Sequence, residues 1–116
     1  MPQRLYLHEP EMEGRPEVLE YVANLKSNNP DNFTLIDIGA SWNHFSKEFL
    51  THTFDLAPLD IPNVHHFSGD INDYESWQPI FDYVEQNGKF DFCNCTHTLE
   101  DIAYPQAALR YIPRIA

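Results

Sequence analysis

The sequence predicts an α/β domain in which a parallel sheet alternates with helices, in strand order 3-2-1-4. Three observations carry that expectation. The stretch Thr34-Leu35-Ile36-Asp37-Ile38-Gly39-Ala40-Ser41 is a short apolar, partly β-branched run ending in a glycine. A buried parallel strand reads as such a run, and a glycine after it permits a tight turn and close backbone approach. Further apolar segments follow near residues 53–56, 64–67 and 90–95, interleaved with stretches of helical periodicity. Finally, Asp37, Asp55 and Asp70 fall at the carboxyl ends of the first three of these strands. In a parallel sheet those ends share one edge, so the acids converge.

Taken in order, residues 1–14 offer a brief Leu5/Leu7 alternation and then an acidic, turn-prone stretch with no assigned function. Pro16 suits a first helical turn, and Val18, Leu19, Val22 and Leu25 repeat with helical spacing until Ser27-Asn28-Asn29-Pro30 ends the helix. After the central strand, Ser41 is placed to cap a short helix from Trp42 to Leu50, with Trp42, Phe45 and Phe49 on one face. Thr53-Phe54-Asp55-Leu56 is the second strand and Val64-His65-His66-Phe67 the third. Ser76 is the expected cap of the next helix, with Pro79 in its first turn; Trp77, Ile80, Phe81 and Val84 face inward. Asn87-Gly88 closes it. Lys89-Phe90-Asp91-Phe92-Cys93-Asn94-Cys95 is the fourth strand, and a last helix starts at Pro105, turns Ala108, Leu109 and Ile112 inward, and stalls at Pro113.

Composition narrows the function. The 116 residues suit one domain, and 42% hydrophobic with 14% aromatic residues suits a packed core. A formal net charge of -11 repels phosphate backbones and anionic membrane surfaces, which argues against both as partners. No apolar run has transmembrane length, and the first residues lack a signal-peptide core. Cys93 and Cys95 share a strand face at a spacing that disfavours a disulfide, so two reduced thiols in a cytoplasmic protein is the expectation. Adjacent His65 and His66 point to opposite faces and make a poor metal pair. No phosphate-binding G-x-x-x-x-G-K-[ST] loop or G-x-S-x-G nucleophile turn is present.

The spacing of the acids points to a nucleoside. Asp55 follows Asp37 at close to the interval at which a carboxylate reaches both hydroxyls of a ribose. A single acid at a strand end is ordinarily a turn-maker. Three in register favour a site.

The motifs Leu35-Ile36-Asp37-Ile38-Gly39, Phe54-Asp55-Leu56-Ala57-Pro58 and Ser68-Gly69-Asp70-Ile71 resemble the successive cofactor motifs of class I S-adenosylmethionine-dependent methyltransferases. Residues 90–101, with His97-Thr98-Leu99-Glu100-Asp101 as their most specific part, resemble that family's fourth-strand signature, and Pro105, Leu109 and Arg114 the helix after it. The resemblance implies that Gly39, Ala40 and Ser41 pass close to the methionine part of the cofactor, with Asp37 supporting that loop and the amino group. It implies that Asp55, with Leu56 beside it, holds the ribose and Asp70 the adenine amino group, with Ile71 beside the ring. Cys95 and Thr96 would line the methionyl end. His97 would face the transfer side as the one candidate base. The implied activity is methyl transfer to a small-molecule acceptor.

Two departures from the family pattern stand out. Ala40, Ser41 and Trp42 occupy a loop where the family carries further glycines. The family fold also adds three strands after the fourth, and this sequence stops soon after it. The expectation is therefore a single domain, 1–116, C-terminally truncated, whose fourth strand has no partner on its far side and invites self-association there. The rival readings are a non-catalytic cofactor-binding remnant or interaction module, and an NAD-dependent oxidoreductase. The last wants a G-x-G-x-x-G that is absent.

Overall fold

The structure, a computed structural model, describes residues 5–6, 16–40, 44–95 and 106–116. Five strands form one sheet: β1 (Leu5–Tyr6), β2 (Leu35–Ile38), β3 (His52–Asp55), β4 (His65–Ser68) and β5 (Phe92–Cys95). The helices are α1 (Pro16–Asn28), α2 (Tyr74–Asn87) and α3 (Gln106–Ile115). The spatial order is β1-β5-β2-β3-β4, and every neighbouring pair is parallel. The expected order 3-2-1-4 is thus present as β4-β3-β2-β5, with β2 between β3 and β5.

β1 is the first correction. The fourth predicted strand, β5, has a partner on its far side: Leu5 pairs with Cys93 and Tyr6 with Asn94. Two residues are too few to announce a strand by alternation, so the segment reads in sequence as a tail.

The period-two alternation of a strand sorts the core into two layers. Leu35 and Phe92 pack with Val18 and Val22 of α1 and with Phe33, Phe45, Phe49 and Leu50. Ile36, Ile38, Cys93 and Cys95 face the other way, against Trp77, Ile80 and Phe81 of α2 and Ile112 and Ile115 of α3. Trp77 is wholly buried, meets Phe54 edge-on at 5.0 Å between centroids, and donates its indole N–H to the Ile71 carbonyl at 2.8 Å. Such a ring contributes a large apolar area, and its one polar atom is satisfied.

Local chemistry corrects three helix expectations. Among the described residues no helix lies between β2 and β3: residues 44–50 make a single turn in which Ser46 O accepts from Phe49 N and Leu50 N, and Ser41 and Trp42 of the expected helix lie outside the described residues. Thr51 N already bonds Leu35 O at the start of β3, which leaves too few residues for a stable helix. Phe45, Phe49 and Leu50 are buried together nonetheless, so the apolar spacing reports a core-facing turn. The cap of α2 is Asp73, which accepts from Glu75 N and from the Ser76 hydroxyl; Pro79 therefore lies inside the helix. Ser76 serves the preceding turn instead, its Oγ accepting from Asp70 N at 3.0 Å.

α3 also runs through Pro113 to Ile115, and Leu109 is 52% exposed where it was expected to face inward. Ile112, Ile115 and Ala116 carry the contact. Phe90 N donates to Ile115 O at 2.8 Å, fixing the end of α3 to the entry of β5.

Candidate functional site

The carboxyl edge of the sheet is built by hydrogen bonds that continue past the strand ends. Gly39 N donates to Phe54 O at 2.7 Å, and Gly69 N to Asp55 O at 3.1 Å. The turns after β2 and β4 therefore flank Asp55, which ends β3. Gly39 has φ 73°, a left-handed conformation that glycine adopts without a steric penalty. Gly69 is needed for a different reason. A Cβ there would sit 2.5 Å from Ser76 Cβ, so its lack of a side chain lets α2 close on the turn.

The predicted site residues divide between this edge and the interior. Gly39, Asp55 and Asp70 come together at the edge, and Leu56 beside them is 71% exposed. Asp55 Oδ1 accepts from Ala57 N at 2.9 Å, and Asp70 Oδ1 from Asn72 N at 2.9 Å. Each acid shapes its own turn with one oxygen. Ile71 is buried, and its carbonyl is taken by Trp77. Ala40 is also fully buried. Cys95 lies in the α2/α3 core, where burial, reinforced by the charge of Asp37, pushes its thiol up to about 12; the Cys93 thiol is raised for the same reasons and by Cys95. Both thiols are free and buried. Ser41, Thr96 and His97 lie outside the described residues.

Asp37 is the most constrained acid of the set. It has no exposed surface, and its carboxylate lies on the α1 side of the sheet. Oδ2 accepts from Phe45 N at 2.7 Å and Oδ1 from the Asn94 side-chain amide at 3.0 Å. The carboxylate thus fastens the segment after β2 and joins β2 to β5. It does so from beneath the edge. Burial pushes its pKa from 3.8 up to about 7, opposed by these two hydrogen bonds and assisted by the charge of Asp55.

Asn94 is the residue that sequence reasoning missed. It lies in register with Asp37, which is in register with Thr53, which is in register with His66. These four side chains make a polar rank across four strands. Thr53 Oγ1 and His66 Nδ1 are 2.8 Å apart, and His66 Nε2 is enclosed with no partner among the described residues. The available signal was a polar amide inside the run Phe92-Cys93-Asn94-Cys95, since a buried amide must find partners.

A second cluster occupies the opposite, amino-terminal edge of the sheet. His52 is buried against Tyr83 at 4.7 Å and Phe90 at 4.9 Å, with His65 at 5.8 Å. Burial, aided by His65, lowers the His52 pKa from 6.5 to about 4, so its ring is neutral near pH 7. Among the described residues no group of three or more His, Cys, Asp or Glu is arranged to hold a metal ion, and no helix is long and apolar enough to cross a membrane.

Comparison of the chain with family models, with curated proteins and with solved structures finds no match.

Proposed function

We propose that the carboxyl edge of β2, β3 and β4 binds S-adenosylmethionine, and that the chain is a methyltransferase-like protein acting on a small-molecule acceptor. The observation that supports this most is the placement of Gly39 and the Gly69-Asp70 turn on either side of Asp55. A side-chain-free turn with positive φ gives a ligand access to the backbone at the crossover from β2. In open parallel sheets, ligands bind outside the carboxyl ends of the strands, where the strand order reverses. Here that reversal lies at β2, whose sequence neighbour β3 and later strand β5 flank it.

The residues present fit a nucleoside-bearing cofactor. Asp55, with one oxygen held by Ala57 N, offers the other to ribose hydroxyls. Leu56, exposed beside it, is an apolar surface for a base, and Asp70 is an acceptor for an exocyclic amino group. Asp37 is enclosed beneath the edge and acts through Phe45 and Asn94. Bound there, the cofactor would supply an electrophilic methyl group on a sulfonium. The chain's own contribution is then to hold and orient it and to exclude water. His97 remains the proposed base for acceptors that need one.

Isothermal calorimetry with S-adenosylhomocysteine tests the reading. The parent chain binds, and Asp55→Ala weakens binding by about ten- to a hundredfold, the usual effect of losing a charged hydrogen-bonding partner. No heat at millimolar ligand, equal binding by the variant, or a preference for NAD would reject it.

A further inference from the structure

We propose that Asp37 and Asn94 form a proton-sensitive latch: beside the backbone ladder, ionised Asp37 holds the Asn94 amide across β2 and β5 beneath the carboxyl edge, and its protonation breaks that side-chain bond and weakens ligand binding there. The coupling to ligand rests on the cofactor reading above; the latch itself does not.

The geometry supplies the argument. A carboxylate with no exposed surface is costly to ionise unless charge or hydrogen bonds compensate. Asp37 has two donors, Phe45 N and Asn94 Nδ2, and no cationic partner among the described residues. The opposing effects are therefore close to balance, and burial leaves the group titrating at about 7.

Among the described residues, the surroundings do not supply a compensating charge. On β3, Thr53 is neutral, and the Asp55 charge opposes ionisation. On β5, Cys93 and Cys95 lie on the opposite face of the sheet with raised thiol pKa values. From the segment after β2, His44 directs its Nδ1 to the Phe45 carbonyl at 2.7 Å. His66 reaches the rank only through Thr53. α1 faces the sheet with Val18 and Val22; its Glu17 and Glu20 are exposed, and Lys26 is bonded to Glu48 O.

The two oxygens are not equivalent. Oδ2 holds a backbone N–H at 2.7 Å, whereas Oδ1 holds a side-chain amide at 3.0 Å. A proton added to Asp37 goes to Oδ1, where the donor sits on a rotatable side chain and the bond is longer. The N–H of Asn94 then faces an O–H. The side-chain bond from Asn94 Nδ2 across β5 and β2 is lost, while the backbone ladder between the two strands and the bond from Phe45 N remain.

Carbon-detected NMR of the Asp37 carboxyl and proton NMR of the Asn94 amide, from pH 5 to 9 on the full chain, test the latch. The Asp37 signal titrates at about 7 and the Asn94 amide moves with the same midpoint. Asn94→Ala, or Asn94→Ser if the alanine variant does not fold, raises that midpoint by about one pH unit, because a donor to the charged form has been removed. A midpoint in the ordinary carboxylate range, an Asn94 amide blind to pH, or an unmoved midpoint in both variants overturns the latch.

Calorimetry with S-adenosylhomocysteine then tests the coupling. If only the ionised form binds, affinity falls about tenfold from pH 8 to pH 6, following the ionised fraction. A flat profile beside a normal Asp37 titration overturns the coupling alone. Absence of binding at every pH, with the NMR behaviour intact, supports the latch and removes the cofactor reading together with the coupling.

Discussion

Asp37 and Asn94 stand opposite each other on neighbouring strands, and the amide nitrogen of one lies 3.0 Å from a carboxylate oxygen of the other. Because the folded-state pKa of Asp37 is raised from 3.8 to about 7, the native chain binds more protons than the unfolded chain between those values. The contribution of this group to stability is thus fully present below 3.8 and is lost as pH rises to about 7. Urea unfolding of Asp37→Asn should lack that decline, whose slope for one proton approaches ~1.4 kcal/mol per pH unit. Parallel pH profiles for parent and variant would refute it.

His52 works in the opposite direction. Its folded-state pKa is lowered from 6.5 to about 4, so the unfolded chain binds more protons in that window and stability is lost as pH falls from 6.5 to 4. Replacing His52 with Phe keeps an aromatic ring against Tyr83 and Phe90 and removes the titrating group. The variant should gain thermal stability relative to the parent as pH falls from 6.5 to 4. An unchanged difference in Tm across that range would show that His52 does not carry the effect.

Two glycines separate steric need from backbone need. Gly69→Ala places a methyl group 2.5 Å from Ser76 Cβ and 2.7 Å from its Oγ. Overpacking of that kind costs about 1–3 kcal/mol. At Gly88 an added Cβ meets nothing within 4 Å, but φ is 89°. With ψ 168° this is a conformation essentially confined to glycine, so the cost there is conformational, roughly 1–3 kcal/mol. Ser76→Gly, which removes the side chain that the new methyl group meets, should therefore recover part of the loss at position 69 and none at 88. Chemical denaturation of the four variants decides this, and equal recovery at both sites would contradict it.

The edge of β5 is covered at Cys93 and Asn94 by β1. Removing residues 1–6 uncovers backbone groups of a strand whose four residues are all buried. Such an edge pairs with other chains. Light scattering over a concentration series should show self-association of the shortened chain beyond that of the parent. Identical scattering would mean that the two-residue strand does not guard the edge.

The sheet was legible because its chemistry is local. Leu35-Ile36 and Phe54 sit in short apolar runs bounded by turn residues, and parallel pairing follows from their alternation with helices. The order of the four longer strands followed from the motif resemblance, and the acids at their ends located the edge. What escaped depends on contacts across the sequence. Leu5 and Tyr6 are a strand only because β5 offers them a ladder. Phe45 and Phe49 have helical spacing, but β3 begins too soon after them for a helix to form. Asp73 outcompetes Ser76 as the cap because the Ser76 hydroxyl is engaged with Asp70 N and Asp73 Oδ2. Asn94 has no meaning until Asp37 lies opposite it, 57 residues earlier in the chain.

The pairing of Leu5 with Cys93 also dictates an order of assembly. A ribosome delivers residues 5 and 6 well before β5, their strand neighbour among the described residues. Long-range parallel pairing is slow because the intervening chain must be ordered before the contact is rewarded. While β2, β3 and β4 can begin to associate as they emerge, the leading segment must wait for β5 and then close the sheet as its final strand. A segment synthesised before the rest of the sheet is placed after it, and until then the nascent sheet carries an open flank that a chaperone or a neighbouring nascent chain can reach.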